Sequence, residues 1–221
     1  MKLLALDTAT EHCSVAVWSG GVRATREAAG TQSASAVVLE MIAACLAEVG
    51  LELQALDAIA FGRGPGGFTG LRLAASVAQG LAYGAGLPVL PVSTLRAVAQ
   101  HVAEREPAAQ RVLVCQDARM GEVYWAPFTL RAGFAEAAGE EAVGVPAQVR
   151  LPAGWVAADT LGAGSGFDAH AVLGELARVL PACRSRATCI AALAAHDGLA
   201  HAVKPERALP VYLRNDVAVP G

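Results

Sequence analysis

The sequence is short of charge, and it has no excess of positive charge. Charged residues make up 17% of its 221 residues, and the formal net charge is −3 at pH 7. Binding to a phosphate backbone depends on clustered lysine and arginine side chains. This balance argues against a chain that binds nucleic acid on its own, and we expect any contact with RNA to be shared with a partner protein.

Long apolar runs and paired cysteines are also missing. The apolar run at the N-terminus ends at Asp7, which is too short for the core of a signal peptide. Residues 73–95 carry no charge, but glycines and prolines divide them into a helix, a turn and a strand rather than one membrane span. The five cysteines are scattered and form no C-x-x-C pair, which is typical of buried reduced thiols. With 54% hydrophobic residues, the chain is expected to be a cytoplasmic globular protein with a large core and no membrane segment.

Several kinds of catalytic site lack their residues. The closest pair of histidines, His196 and His201, is five positions apart, which places the two rings on different sides of a helix and disfavours a metal site. No serine lies in a G-x-S-x-G elbow, and Cys13 and Cys115 lie in apolar strands, where a thiolate is disfavoured. The sequence therefore predicts neither a catalytic residue nor a metal-binding residue.

Apolar runs and turn residues predict an α/β protein in which three strands precede the first helix. Two strands, ending at Asp7 and Asp117, are each followed by a hairpin. Because the two units are separated by about half the chain, they predict a duplicated architecture of two related lobes. Up to residue 130 the predicted strands are 2–7, 13–18, 22–28, 56–61, 87–92, 111–117 and 122–130, and the predicted helices are 35–49, 69–83 and 93–105.

The remainder of the chain has weaker patterns. Residues 131–152 are rich in alanine, glycine and glutamate with little periodicity, so we expect loops and one degenerate element there. Residues 168–180 and 188–201 are expected to form helices, and residues 210–214 a short extended end.

The most informative segment is a glycine-rich loop between an apolar strand and an alanine-rich helix. Five of the nine residues from Gly62 to Gly70 are glycine, so backbone N–H groups there can face an anion or another backbone. A dinucleotide fingerprint is disfavoured because no acidic residue lies between Asp57 and Glu104, and a P-loop is disfavoured because Phe68 stands where lysine is required. A tight turn needs only one or two glycines, so the surplus favours close approach by another backbone, a nucleotide or a phosphate.

The end of the first strand adds polar groups to this region. Asp7 is followed by Thr8 and Thr10, which either direct a carboxylate and hydroxyls at a metal-bound phosphate or satisfy the backbone of the turn, as Asx turns do. The residue types leave both interpretations open. Together with the glycine-rich loop they predict a residual nucleotide-type cleft, whose candidate residues are Asp7, Thr10, Gly64, Gly66, Gly67 and Asp117.

Two predicted helices have unusual surfaces. Helix 35–49 is apolar nearly all round, with Glu40 and Glu48 as its only charges, so it needs burial on more than one side. Helix 69–83 is followed by Gly84, which with Ser76 and Gly80 gives small residues at a spacing of four and permits close approach of another helix. These surfaces are typical of a subunit interface, although burial within a monomer would explain them as well.

Four segments of the chain resemble the TsaB (YeaZ) family, whose members take part in tRNA threonylcarbamoyladenosine synthesis. In chain order they are LLALDTATEHCSVAVW, FGRGPGGFTGLRLAASVAQGLAYGAGLPVLPVSTL, DARMGEVYW and PVYLRNDVA. The resemblance covers nearly the whole chain and is weak across about residues 131–186. It implies a two-lobed α/β fold of the actin, Hsp70 and sugar-kinase (ASKHA) superfamily, with a duplicated ribonuclease-H-like motif and a reduced second lobe. The first lobe would comprise residues 1–106 joined by 188–221, and the second residues 107–187.

The resemblance also implies a role without catalysis. The chain would be a required subunit for synthesis of N6-threonylcarbamoyladenosine at position 37 of tRNA. It would pair with and activate the catalytic paralogue TsaD together with the ATPase TsaE, and it would also form a homodimer. Contact with tRNA would come only through the complex, no cofactor would be required, and ATP or ADP would bind weakly at most. The family uses the first two helices of the first lobe for its contacts, which gives the interface residues as Val37, Met41, Ala44, Thr69, Leu73, Ser76 and Gly80.

Two enzymatic alternatives remain open from the sequence. An ATP-dependent phosphotransferase of the sugar-kinase type is favoured by the fold, by Asp7 and Asp117 and by the glycine-rich loop, but opposed by a second lobe that is short and glycine-poor. A metallopeptidase-like enzyme is opposed by the lack of a histidine pair in helix 35–49.

Overall fold

The computed structural model describes residues 1–29 and 33–214, which form two β-sheets and five α-helices. The strands of the first sheet are β1 Lys2–Asp7, β2 His12–Ser19, β3 Val22–Ala29, β4 Ala58–Gly64 and β5 Val89–Ser93. Their order across the sheet is β3-β2-β1-β4-β5. The first three pair antiparallel, and β4 and β5 extend the sheet in parallel from β1.

The second sheet is built from the other half of the chain. Its strands are β6 Arg111–Arg119, β7 Glu122–Arg131, β8 Phe134–Ala137, β9 Ala142–Gly144, β10 Leu161–Ala163 and β11 Arg178–Leu180. Their order is β11-β10-β6-β7-β8, and β9 pairs with β7. Strands β6, β7 and β8 are antiparallel, whereas β10 and β11 extend the sheet in parallel from β6. Without β9, this is the strand order and pairing pattern of the first sheet.

The helices differ greatly in length between the two halves. They are α1 Ala34–Val49, α2 Phe68–Ala85, α3 Thr94–Arg105, α4 Gly166–Ala169 and α5 Ala187–Asp197. Glycine ends the first two, because Gly50 and Gly86 adopt the left-handed backbone that closes a helix. Helix α3 begins at Ser93, whose hydroxyl accepts a hydrogen bond from the Arg96 amide at 3.1 Å.

Helices cover both faces of the first sheet. Helices α1 and α2 pack on one face, and α5 packs on the other. Helix α3 lies against the second sheet and against α5. The division into lobes of residues 1–106 with 188–221 and of 107–187 stays a prediction, and its last residues, 215–221, lie outside the described part of the chain.

The structure corrects the sequence predictions after residue 130. The helix predicted over 168–180 is wrong: α4 ends at Ala169, and residues 178–180 form β11. Gly174 weakens a helix there, and pairing of β11 with β10 extends the second sheet instead. Residues 131–152, predicted as loops with one degenerate element, contain β8, β9 and a 3-10 turn at Pro146–Gln148.

The C-terminal predictions need smaller corrections. The helix predicted over 188–201 ends at Asp197, because Gly198 has a φ of 75°, and a separate 3-10 turn follows at Leu199–His201. Residues 210–214 are irregular rather than a strand. Within 1–29 and 33–214, none of the helices has the length and apolar character needed to cross a membrane.

Candidate functional site

The carboxyl group of Asp7 lies at the end of β1, where it closes the turn into β2. Its Oδ1 atom accepts the Ala9 amide at 2.8 Å, which is the hydrogen bond of an Asx turn. The side chain is buried, and a Cβ atom added to Gly62 would stand 2.7 Å from Oδ1. Gly62 therefore allows β4 to pass directly against the carboxyl group.

Burial also sets the charge of Asp7. Burial raises the pKa of this carboxyl, and the Ser185 hydroxyl and the Ala9 amide offset only part of that rise. The Ser185 hydroxyl is near enough to favour the charged form, but neither it nor Asp7 Oδ2 makes a hydrogen bond of ordinary geometry with a described residue. Because the effect of burial is the larger, the neutral form of Asp7 is favoured.

The hydroxyls of both threonines after Asp7 are hydrogen-bonded to the backbone of this chain, that of Thr10 within the turn and that of Thr8 to α2. The Thr10 hydroxyl accepts the His12 amide at 3.2 Å, and the Thr8 hydroxyl donates to the Gly70 carbonyl at 2.6 Å. Of the two interpretations left open by the sequence, this geometry fits the turn-forming one for Thr10.

Two other segments of this chain lie directly against the glycine-rich loop. The Gly67 amide donates to the Ala9 carbonyl at 2.8 Å. A Cβ atom on Gly66 would lie 2.6 Å from that carbonyl oxygen, and one on Gly64 would lie 2.8 Å from the carbonyl oxygen of Val211. The surplus glycines thus make room for the β1–β2 turn and for the C-terminal segment of this chain.

The second aspartate, Asp117, has a different environment. Its Oδ1 atom accepts the Arg119 amide at 2.9 Å and lies 3.2 Å from Nε2 of His170. Partial burial acts to raise the pKa of Asp117, but the Arg119 amide, the His170 ring and the Arg119 guanidinium together lower it. Arg119 also pairs with Glu11 at 2.5 Å, so this hairpin is joined to the β1–β2 turn of the first sheet.

The residues predicted for the cleft lie in separate places. Asp7, Gly66 and Gly67 contact the β1–β2 turn, which contains Thr10. Gly64 faces the carbonyl of Val211, and Asp117 forms its own cluster on the second sheet. Sequence reasoning missed Ser185 and His170, which lie far along the chain from their partners. Arg119 could have been named as a candidate neighbour of Asp117, because both lie in the DARMGEVYW segment.

The two predicted interface helices pack on the same face of the first sheet, and each has residues exposed on its outer side. On α2, Thr69, Ser76 and Gly80 are exposed, Leu73 is half-buried, and a Cβ atom on Gly80 would meet no atom within 4 Å. On α1, the predicted residues are half-buried at the side of the core, and their neighbours point outward. The half-buried ones are Val37, Met41 and Ala44, and the exposed apolar ones are Ala36, Leu39, Ala43 and Ala47.

The cysteines and metal ligands give no second site. All five cysteines are buried, and burial raises the pKa of Cys13 to about 11, with the nearby Asp7 carboxyl contributing. In the part of the chain that the structure describes, no three His, Cys, Asp or Glu side chains come together as metal ligands would.

Comparison with known proteins gives the class of this chain. A model of the family described as "TsaD: tRNA N6-adenosine threonylcarbamoyltransferase" matches residues 17–214. The Escherichia coli (strain K12) protein named tRNA threonylcarbamoyladenosine biosynthesis protein TsaB is 40% identical, and the alignment covers 99% of this chain and 96% of that protein.

Solved structures give the same result. YeaZ from Pseudomonas aeruginosa is 41% identical with a TM-score of 0.87, over 96% of this chain and 99% of that one. A second Pseudomonas aeruginosa structure, described as an uncharacterized protein with similarity to peptidase YeaZ, is 42% identical with a TM-score of 0.89 over the same shares. The chain belongs to the TsaB (YeaZ) family, and the resemblance predicted from its sequence is confirmed.

Proposed function

We propose that this chain is a non-catalytic subunit required for synthesis of N6-threonylcarbamoyladenosine at position 37 of tRNA. It pairs with TsaD and activates it together with the ATPase TsaE, and it contacts tRNA only within that complex. The names of its relatives support the pathway, and the exposed face of α1 and α2 supports a partner role. A cytoplasmic location fits this work on tRNA.

The observation that carries the proposal is the shape of the α1 and α2 surface, which we call the partner face. It is defined by Ala36, Leu39, Ala43 and Ala47 of α1 and by Thr69, Ser76, Gly80 and Gly84 of α2. Its residues are small or apolar, and Leu39 is 58% exposed. Exposed apolar surface of this kind marks protein–protein contacts, and the open space at Gly80 admits a partner helix.

The same face serves the homodimer that we propose for the isolated chain. Because a partner helix that packs on Gly80 excludes a second copy there, TsaD and a second copy would compete for this surface. Half-buried residues lie between the partner face and the core and pack beneath it: Val37, Met41, Ala44 and Leu73.

The wider fold and the cleft fit this role. The repeated strand order of the two sheets supports a duplicated ribonuclease-H-like motif and a two-lobed ASKHA fold, with short helices in the second half. No cofactor is required in this proposal, and ATP or ADP binds weakly at most, because the backbone at Ala9 and Val211 fills the glycine-rich loop. Because this backbone leaves no room for a phosphate at the loop, it also disfavours a sugar-kinase-type phosphotransferase.

A leucine at position 80 tests the partner face. Gly80→Leu should abolish co-elution of this chain with TsaD, because the added side chain occupies the space of the partner helix. Gly174→Leu is the matched control, since Gly174 is exposed with nothing within 4 Å of its Cβ position and lies on the second half of the chain. Unchanged circular dichroism should accompany both changes. Co-elution of Gly80→Leu at the normal ratio would remove the partner face from the proposal.

Activity assays test the role itself. The purified chain with tRNA, threonine, bicarbonate and ATP should form no modified adenosine, and addition of the other pathway proteins should give product. Leaving out this chain alone should stop the reaction. Product formed by the chain without TsaD would overturn the non-catalytic role.

A further inference from the structure

The C-terminal residues 208–214 cross from the first sheet to the second over the glycine-rich loop. They begin at Ala208, which is fully buried in the core beneath α1 and α2. They then contact three separate parts of the fold before the described chain ends at Arg214. An irregular segment with this many partners is held by specific contacts rather than by its own backbone pattern.

The first contacts of this segment are with the first sheet and α2. The Val211 amide donates to the Arg63 carbonyl at 2.7 Å, directly beside the loop. One residue later, the Tyr212 hydroxyl accepts Nε of Arg72 at 3.0 Å, and its ring lies 5.5 Å from the Phe68 ring. The Arg72 guanidinium in turn stacks on Phe68 at 3.6 Å.

The last contact is with the second sheet. Arg214 forms an ion pair with Glu122 and donates to the Ala118 carbonyl at 3.3 Å, so it binds both strands of the β6–β7 hairpin. The side chains of Arg214 and Glu122 are 21% and 31% exposed, which screens their attraction less than at an open surface. Arg63 adds a parallel connection, because its guanidinium pairs with Glu141 of the second half at 3.3 Å.

We propose that residues 208–214 are a clasp that fixes the β6–β7 hairpin to the glycine-rich loop and to the start of α2. Any movement of the β6–β7 hairpin away from the glycine-rich loop would then have to break the contacts of Arg214 or the hydrogen bond from Val211 to Arg63. This role concerns the cleft within one chain, so it stands or falls independently of the partner face.

Hydrogen exchange of the Val211 amide tests the clasp in the full-length chain. Arg214→Glu places a carboxylate against Glu122, and we expect the Val211 amide to exchange about tenfold faster as the segment detaches. Arg207→Glu is the matched control, because Arg207 is exposed immediately before this segment and has no ion pair among the described residues. Its exchange at Val211 should equal that of the unchanged protein.

A double variant with the two charges swapped distinguishes loss of the clasp from a general destabilisation of the fold. Combining Arg214→Glu with Glu122→Arg restores opposite charges at the same two positions, and slow exchange at Val211 should return. The proposal is overturned if Arg214→Glu leaves Val211 as protected as before. It is also overturned if Arg207→Glu has an equal effect or if the exchanged pair stays as fast as the single variant.

Discussion

Replacement of Asp7 by asparagine should stabilise this protein near neutral pH. In the native chain the carboxyl is buried, Oδ1 accepts the Ala9 amide, and Oδ2 makes no hydrogen bond with a described residue. An asparagine of the same shape keeps the acceptor for Ala9 and adds an N–H that can reach the Ser185 hydroxyl. It also removes a charge that the site disfavours.

The expected change in the free energy of unfolding follows from the buried polar atoms at Asp7 and Ser185. A buried polar group without its partner costs about 1–3 kcal/mol, so Asp7→Asn should raise the free energy of unfolding at pH 8 by about that amount. For a chain of this length each kcal/mol corresponds to about 2–4 °C in Tm. Asp7→Ala is the control: it leaves the buried Ala9 amide without its acceptor and should lower the free energy of unfolding by about 1–3 kcal/mol.

The pH dependence gives an independent check. Because the folded pKa of Asp7 is raised, its contribution to stability is fully present below the unfolded pKa of about 3.9 and is lost as pH rises through the folded pKa. The gain from Asp7→Asn should therefore be larger in urea unfolding at pH 8 than at pH 5. If asparagine destabilises the chain at pH 8 as much as alanine does, a charged Asp7 has a stabilising partner and the reasoning is refuted.

The remaining predictions concern packing and thiols. Gly70→Ala should destabilise the chain by about 1–3 kcal/mol, because the new methyl group would clash with the Thr8 carbonyl. Gly84 faces open space, so Gly84→Ala should instead stabilise α2 by about 0.8 kcal/mol. Equal urea midpoints for the two variants would contradict this prediction. Arg96→Lys should lower the free energy of unfolding by about 1–2 kcal/mol. The Arg96 guanidinium joins α3 to α5 by two hydrogen bonds to Asp197, at 2.5 and 2.9 Å, and lysine cannot make both. An unchanged urea midpoint would contradict this prediction. A disulfide reagent should modify no cysteine in the native chain within minutes and all five after denaturation; fast reaction of any native thiol would show that burial is incomplete.

The long regular elements were predictable because local signals mark their ends. Helix α2 was predicted over 69–83 and observed over Phe68–Ala85, within two residues at each end. Gly67 and Gly86 flank it, so the sequence itself carries its limits. The strand that ends at Asp7 was found with its exact range, because a buried apolar run stops there at a polar turn.

The elements between residues 131 and 186 could not be predicted because they are short and depend on the second sheet. Strands β10 and β11 have three residues each, and α4 has four. Lengths of this kind give no periodic pattern to read. The pairing of Gly162 with Val179 in the sheet, rather than local preference, decides that residues 178–180 are extended.

The contacts of the candidate site could not be predicted from the sequence. Five glycines in nine positions favoured close approach by another backbone, a nucleotide or a phosphate, and they could not indicate which of these. The structure identifies Ala9, about 55 residues earlier in the chain, and Val211, nearly 150 residues later. Such long-range approaches follow from the sheet topology, which local sequence does not determine.

Asp7 and Asp117 show how the same local structure acquires different chemistry. Asp7 is the last residue of β1 and Asp117 lies two residues before the end of β6, and each accepts the amide two residues later, that of Ala9 or Arg119. Only Asp117 has cationic neighbours and partial exposure, so it keeps its charge, whereas burial favours the neutral form of Asp7. A ligand that needs a carboxylate would therefore bind on the side of Asp117. Because Ala9 and Val211 already lie against the glycine-rich loop, we propose that a partner of the first sheet binds at the outer surface of α1 and α2.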